Sequence, residues 1–442
     1  MSRPIGIDLF AGAGGLSLGF EQAGFDNVAA VEIDPIHACV HRFNFPETTV
    51  LARSVVGLSG RAIRAQSGIG DRPVDVVYGG APCQGFSMIG QRALDDPRNS
   101  LVKEFVRIVT ELHARRFVFE NVKGLTVGRH RAFLEELIAT FGAKGYAVRL
   151  PWKVLNAADY GVPQDRERLI LFGALEGETL PDYPEPVCSR AGGAKHDGLP
   201  DGPSCLDALG DLPDADAFEE LLGTDSVRLP HMGTPSRYAA ALRCLDDNGW
   251  YFGYRRDWNS QWLTSSARTE HSEISRRRFA ETAPGSVEPI SRFFKLPPDG
   301  RSNTLRAGTD SARGAFTSPR PIHYRHPRCI TVREMARLHG YPDWFRFHAT
   351  KWHGARQIGN SVPPPLARAV AAAVLKSLGV RPQKPKRVLA LGEQRLLEFD
   401  MSAAAALCGV PVTIGRRDRK SGARKRRQDE IEAERMKSLT YA

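Results

Sequence analysis

The chain has 442 residues, 42% hydrophobic and 25% charged, which is the composition of a globular protein with two or three domains. Its 61 lysines and arginines exceed its 50 acidic residues by 11, which favours a polyanionic partner. The longest apolar run is far shorter than the roughly 18 residues of a membrane span, and seven scattered cysteines do not form a disulfide framework. Because Asp8 and a glycine loop follow the first residues at once, no signal peptide is expected. Wholesale disorder is excluded, and we expect a soluble cytoplasmic protein.

Residues 1–175 alternate short apolar runs with helical patterns, which is typical of an α/β fold. The apolar runs predict buried strands at Ile5–Phe10, Val28–Val31, Val74–Tyr78 and Phe117–Phe119. Apolar residues at helical spacing predict helices at Leu101–Leu112, Phe133–Phe141, Thr331–His339 and Pro365–Leu378. We interpret these apolar stripes as core packing.

A glycine-rich turn follows the first strand and contains Gly12, Gly14 and Gly15. Without Cβ atoms, such a turn lets a nucleotide-like ligand approach the backbone, although it is also compatible with a purely structural tight turn. About twenty residues further on, Glu32 ends the second strand, where an acid can bind ribose hydroxyls. Because the glycine spacing differs from that of dinucleotide sites, S-adenosylmethionine is favoured over NAD.

Two further strand ends carry reactive side chains. Cys83 follows Pro82 at the end of the fourth strand; a lone cysteine is most often a buried hydrophobe, but this position favours a nucleophile. Glu120 ends the next strand, where a carboxylate either contacts substrate or merely begins a loop. Arg166 and Arg168 precede another apolar strand, either as a solvated edge or as a grip on a phosphate or a base carbonyl.

These motifs together resemble the DNA (cytosine-5) methyltransferase family of prokaryotic type. Six motifs carry the resemblance in family order: Asp8–Phe20, Pro82-Cys83-Gln84, Glu120-Asn121-Val122, Gln164–Arg168, Arg333–Pro342 and Gln357–Pro364. The resemblance implies a Rossmann-like, mostly parallel sheet with helices on both faces and a smaller, irregular target recognition domain.

The resemblance also implies how cytosine is methylated. Cys83 would add to C6 of a flipped-out cytosine, which makes C5 nucleophilic. Glu120 would hold N3 and the exocyclic amine, Arg168 would contact the O2 carbonyl, and Arg166 would order the site. The sequence does not identify the base that removes the C5 proton.

The implied cofactor is S-adenosylmethionine, with S-adenosylhomocysteine as product and no metal. The residues implied to hold it are Phe10, Gly12, Gly14, Gly15, Glu32, Pro82, Asn360, Ser361 and Val362. The sequence departs from the family near Ser54, where the acid that usually meets the adenine amine is missing. We expect this departure to affect adenine affinity and not the reaction.

Residues 176–325 occupy the place of the family's target recognition region, and their arginines and aromatic residues suit duplex DNA. A small aromatic core with a solvated basic face is the alternative. The residues implied to contact DNA are Gln84, Ser87, Arg98, Thr304 and Arg306. Residues 85–98 would form a mobile loop closing over the flipped base.

Four regions are therefore expected: a catalytic domain (1–175), the recognition region (176–325), a return segment (326–380) and a basic tail (381–442). The tail holds 15 basic and 8 acidic residues, and we expect its run at 416–427 to bind nucleic acid without reading it. We expect a monomer, with a cognate restriction endonuclease as a further partner. The alternatives are a tRNA cytosine-5 methyltransferase and an inactive DNA-binding homologue; a nicotinamide oxidoreductase would explain only the glycine turn.

Overall fold

The computed structural model describes residues 3–82, 100–128, 130–193, 198–308 and 319–412. Among these residues, no helix is long and apolar enough to span a membrane. No group of three or more histidine, cysteine, aspartate or glutamate side chains is arranged to hold a metal ion in the same ranges.

A single large sheet organises the catalytic domain. The described strands are β1 (Ile5–Leu9), β2 (Asp26–Glu32), β3 (Thr49–Ala52), β4 (Val76–Gly79), β5 (Arg116–Val122), β6 (Tyr146–Val148), β7 (Lys153–Asn156), β8 (Glu167–Leu175), β9 (Val227–Arg228), β10 (Arg255–Asp257), β11 (Trp262–Leu263) and β12 (Val388–Ala390). The sheet has the order β3-β2-β1-β4-β5-β8-β6, and β7 also pairs with β8. The first five strands are parallel and β8 is antiparallel to β5, which confirms the predicted mostly parallel sheet.

Helices cover both faces of this sheet. The described α-helices are α1 (Gly15–Ala23), α2 (Pro35–Asn44), α3 (Gly60–Ser67), α4 (Ser100–Glu111), α5 (His130–Gly142), α6 (Cys205–Leu209), α7 (Arg237–Leu242), α8 (Glu273–Glu281), α9 (Val332–His339), α10 (Lys351–Asn360), α11 (Pro364–Ser377) and α12 (Met401–Cys408). The apolar faces of α3, α4 and α5 share one core with the sheet, in which the Phe117 and Phe141 rings stack 3.8 Å apart. The opposite face is covered by α1 and α11.

The contact between α1 and α11 brings the late part of the chain back to the first motif. A Cβ at Gly19 would lie 2.3 Å from the Ala367 Cβ, so the two helices approach this closely only because residue 19 is glycine. Phe20 stacks on Tyr78 of β4 at a ring-centroid distance of 3.7 Å, which fixes α1 against the sheet. The return segment therefore completes the core of the catalytic domain.

Residues 176–325, where the recognition region is expected, have short elements and share an aromatic core with residues of the 326–380 segment. Trp250 is buried and stacks on Trp344 with ring centroids 5.9 Å apart, whereas Trp262 is 44% exposed. Buried Arg337 of α9 ties the region together by donating to Asp211 and Asp343. Because the Asp211 and Asp343 carboxylates both pair with the guanidinium, they offset the free-energy cost of burying its charge.

The first part of the predicted basic tail (381–442) is folded. β12 pairs in parallel with β10, and α12 packs on α2. The reason is composition: Leu389, Leu397 and the Ala403–Ala406 run give this stretch apolar surface to bury. The basic run at 416–427, on which the tail's charge depends, lies outside the described residues.

Candidate active site

A cavity of about 780 Å³ opens at the carboxyl ends of β1, β2, β4 and β5. This is the edge of an open α/β sheet at which ligands bind. Two late segments, the one after Ser302 and the end of α10, form the rest of its wall. The cavity therefore brings the early and late sequence motifs together.

The glycine turn forms one end of the cavity. Phe10, Gly12 and Gly14 have φ values of 62°, 56° and 102°, so the chain reverses sharply between β1 and α1. Gly12 has open space where a Cβ would stand, whereas a Cβ at Gly15 would lie 2.5 Å from the Val362 carbonyl oxygen. Gly12 thus leaves room for a ligand, and Gly15 admits the late segment that closes the site.

Glu32 supports this turn. Its carboxylate accepts hydrogen bonds from the backbone amides of Gly12, at 2.7 Å, and Asp34, at 2.8 Å. Burial raises the pKa of the Glu32 carboxyl above its ordinary value. Each carboxylate oxygen still has a second lone pair, so the side chain can accept a ligand hydroxyl while it holds the turn.

Most of the residues expected at the cofactor share this one cavity. Those that line it are Phe10, Gly12, Gly15, Glu32, Pro82, Asn360, Ser361 and Val362. Gly14 does not line it; a Cβ there would lie 2.4 Å from the Phe45 ring, so this glycine serves packing. The open space beside Gly12 and the ribose-type acceptor at Glu32 fit an adenosyl cofactor.

An ion pair forms the other end of the cavity. β5 and β8 are antiparallel neighbours, which places Arg168 next to Glu120, with Nε 2.8 Å from the carboxylate Oε1. Burial raises the pKa of the Glu120 carboxyl, while Arg168 and Arg166 oppose that rise. A Cβ at Gly80 would lie 2.3 Å from the Glu120 Oε2, so glycine is required beside this carboxylate. The Glu120 carboxyl, when protonated, can donate a proton to a planar ligand, and the Arg168 guanidinium can supply a positive charge beside it.

Arg166 is fully buried and joins three segments. It donates to the carbonyl oxygens of Leu305 at 3.0 Å, Gly359 at 2.7 Å and Ser361 at 2.8 Å. Arg166 and Arg168 are two residues apart, yet only Arg168 contacts Glu120. Arg166 therefore holds the late segments against the sheet.

Comparison with known proteins identifies the family. The model of the C-5 cytosine-specific DNA methylases matches residues 5–376. The chain belongs to this family and is a DNA cytosine-5 methyltransferase.

Relatives with known names are similar in sequence to this chain over most of its length. It is 60% identical over 420 residues to the type II methyltransferase M.XorII of Xanthomonas oryzae pv. oryzae, covering 95% of this chain and 96% of that protein. It is 36% identical to the type II methyltransferase M1.HphI of Haemophilus parahaemolyticus, covering 84% and 86% of the two chains. A crystal structure of a putative DNA modification methyltransferase encoded within an E. coli prophage superposes with a TM-score of 0.68 at 32% identity, covering 85% of this chain and all of that one.

The positions that the family resemblance assigns to DNA are only partly within the described residues. Thr304 and Arg306 are exposed residues on the cavity wall, and the Thr304 hydroxyl donates to the Asp165 carbonyl at 2.6 Å. Cys83, Gln84, Ser87 and Arg98 lie outside the described residues. Pro82, the residue before Cys83, does line the cavity, and Asn121 donates to the Ala81 carbonyl at 3.0 Å beside it. The described part of the chain therefore reaches the cavity at Pro82.

Ser54, near which the family's acid is missing, lines the cavity, and its hydroxyl accepts from the Val56 amide at 3.1 Å. Asp34 also lines the cavity, and its carboxylate accepts from the Ile36 and His37 amides as the N-cap of α2. Asp followed by Pro35 is a helix-start signal that indicates this cap from sequence alone.

Sequence reasoning did not assign a role to Gln164 or His339. Gln164 is buried; its amide donates to His339 Nδ1 at 3.0 Å, and its carbonyl oxygen accepts from the Leu305 amide. His339 Nε2 lies 3.1 Å from the Ser361 hydroxyl oxygen and 3.2 Å from its carbonyl. This chain of bonds links the strand bearing Arg168 to the segment bearing Ser361. The sequence did contain a signal for them, because Gln164 lies in the Gln164–Arg168 motif and His339 in the Arg333–Pro342 motif, and both are polar.

Proposed function

We propose that this methyltransferase transfers the methyl group of S-adenosylmethionine to C5 of a flipped-out cytosine in a specific duplex DNA sequence. Transfer proceeds through a covalent Cys83–C6 adduct. The observation that carries the proposal is the shared cavity. The glycine turn and Glu32 line one end, Glu120 and Arg168 the other, and Pro82 leads into Cys83.

Glu120 and Arg168 activate the base. Because burial raises the pKa of the Glu120 carboxyl, it holds a proton more readily than an ordinary glutamate and can donate that proton to cytosine N3 as negative charge builds up on the ring. Arg168 holds the Glu120 carboxyl through Nε, and its Nη1 donates to the Glu167 carbonyl at 2.8 Å. The N–H groups that are left can donate to the O2 carbonyl.

Cys83 supplies the nucleophile. Its thiolate forms the bond to C6, the C5 carbon takes the methyl group, and loss of the C5 proton with cleavage of the S–C6 bond restores the ring and the thiolate. A free thiol has a pKa of about 8.5 and is therefore mostly protonated at neutral pH. Because the thiolate is the nucleophile, Cys83 loses its proton as it attacks C6. Bound S-adenosylmethionine supplies an electrophilic methyl group on a sulfonium. Glu32, Gly12 and the Asn360–Val362 segment hold it in place.

The relatives support a proposal for the biological setting. The similarity to type II methyltransferases supports a role as the modification component of a restriction-modification pair. Such a protein acts on duplex DNA as a monomer beside a cognate endonuclease.

Incubation with tritiated S-adenosylmethionine and duplex DNA tests the proposal. We expect label at C5 of cytosine and its loss in Cys83→Ser, with binding of DNA and S-adenosylhomocysteine retained. Duplex DNA carrying 5-fluorocytosine is expected to give a denaturant-stable complex, because fluorine cannot leave C5 as a proton does. Label on adenine, or on RNA alone, would contradict the proposal. Bisulfite sequencing of DNA from expressing cells returns the recognition sequence.

A further inference from the structure

Residues 388–408, which we name the C-terminal segment, lie beyond residue 376, where the family match ends. The C-terminal segment consists of β12, a turn of 3-10 helix at Gln394–Leu397, and α12. It packs on the side of the glycine turn and of α2 that faces away from the cavity. We propose that the C-terminal segment positions these two elements for cofactor binding, an inference that rests on the proposed cofactor site.

The first contact is beneath the glycine turn. Leu397 is fully buried and packs in one cluster with Ala13, Val40 and Phe43. Ala13 belongs to the turn and also lines the cavity. The Leu397 side chain therefore packs against the turn at a residue that also lines the cavity.

Backbone bonds hold Leu397 in register. The Gly392 amide donates to the Phe43 carbonyl at 2.8 Å, and the Ala349 amide donates to the Leu397 carbonyl at 2.9 Å. A Cβ at Gly392 would lie 2.7 Å from the Phe43 Cα, so only glycine allows this approach. β12 adds a parallel pairing with β10.

The second contact is along α2, whose first turn carries Asp34 and His37 into the cavity wall. Ala404 of α12 is fully buried against Ile36 and Cys39 on the other side of that helix. The helix is thus confined between the cavity and the C-terminal segment.

The third contact runs through His348. Its Nδ1 accepts from the Thr350 amide at 3.1 Å, so Nε2 carries the proton and donates to the Phe399 carbonyl at 3.0 Å. Burial lowers the pKa of His348, which keeps the ring neutral in this arrangement. The ring of His353, on α10, has its centroid 4.7 Å from that of His348, and His353 also interacts electrostatically with Asp34 at the start of α2.

A misplacement of about 1 Å in a binding site can cost up to about 100-fold in function. Replacing Leu397 by alanine removes its packing against Ala13 but leaves the identity of every residue that lines the cavity unchanged. We expect Leu397→Ala to weaken S-adenosylhomocysteine binding about 10-fold or more, measured by calorimetry without DNA. KM for S-adenosylmethionine should rise similarly, while kcat at saturation and DNA affinity stay within about 2-fold.

Leu407→Ala is the matched control, because Leu407 lies in the same segment and is 44% exposed. It should bind S-adenosylhomocysteine within about 2-fold of the unaltered protein. Leu397→Met, which conserves volume, should restore most of the affinity. Equal affinities of Leu397→Ala and Leu407→Ala would overturn the inference, and so would a parallel loss of DNA binding. Failure of the unaltered protein to bind the cofactor product would instead contradict the proposed cofactor site itself.

Hydrogen exchange on the unaltered protein covers the case in which Leu397→Ala does not fold. Coupling between two sites is reciprocal, so S-adenosylhomocysteine should slow amide exchange in residues 388–408. The β9–β11 pair in the recognition region serves as the reference. Unchanged exchange in the C-terminal segment, with protection at the glycine turn, would overturn the inference.

Discussion

The Glu120–Arg168 pair offers the sharpest quantitative test of the site. Glu120→Gln keeps the shape of the side chain but cannot transfer a proton to cytosine N3. A positioned general acid contributes about 10²- to 10⁴-fold, so we expect kcat to fall by at least about 100-fold. Binding of DNA and S-adenosylhomocysteine should change by less than about 3-fold, because neither depends on that proton.

Arg168→Met removes the guanidinium whose Nε lies 2.8 Å from the Glu120 carboxylate. A hydrogen bond to a charged group is worth about 1.5–3 kcal/mol, which corresponds to a loss of roughly 10- to 150-fold. Arg168 acts partly through Glu120, so the double variant should lose less than the product of the single losses. The coupling energy should be at least about 1 kcal/mol.

The pH dependence has a definite sign. Arg168 lowers the pKa of Glu120 against the effect of burial, so its removal should raise that pKa further. Activity that requires protonated Glu120 falls as pH rises through this pKa, and the alkaline limb of kcat should therefore move to higher pH in Arg168→Met.

Single-turnover methyl transfer from tritiated S-adenosylmethionine to duplex DNA is the assay. The control is Lys123→Met, which breaks the exposed ion pair between Lys123, the residue after β5, and Glu167 of β8, and should change kcat by less than about 2-fold. The reasoning is refuted if Glu120→Gln retains more than a tenth of the activity, or if the losses multiply.

Three further variants test other parts of the structure. Arg166→Met leaves three carbonyls without their donor and should lower the unfolding free energy in urea by about 3 kcal/mol or more; a loss no larger than that of exposed Arg131→Met would contradict this. Burial raises the pKa of Asp8 to about 8, so its contribution to stability is full at low pH and is lost as pH rises. The unaltered protein should lose about 1.4 kcal/mol per pH unit relative to Asp8→Asn between about pH 4 and 8, and parallel stability curves would refute it. Deleting residues 413–442 removes the eight basic residues at 416–427 and should flatten the salt dependence of non-specific DNA binding; an unchanged slope would show that they do not bind the backbone.

The sequence alone determined the fold class and the edge of the sheet at which the site lies. Buried strands, glycine turns and helix starts are local patterns, and parallel strands place their carboxyl ends together. For this reason, the strand ends that carry Glu32, Pro82 and Glu120 are expected at one edge of the sheet, whereas their roles were implied by the family resemblance. The short strands β6 and β7 have no comparable local signal and were not predicted.

Only the tertiary structure distinguishes the roles of side chains that look equivalent in the sequence. Arg166 and Arg168 look alike in sequence, yet one donates to carbonyls about 140–195 positions away while the other meets Glu120 across β5 and β8. Gly12 and Gly14 likewise differ only through what stands beside them: open cavity or the Phe45 ring. Leu397 was part of a presumed tail, and only its burial beneath Ala13 connects it to the site. Such roles depend on contacts between residues distant in the chain, which no local pattern encodes.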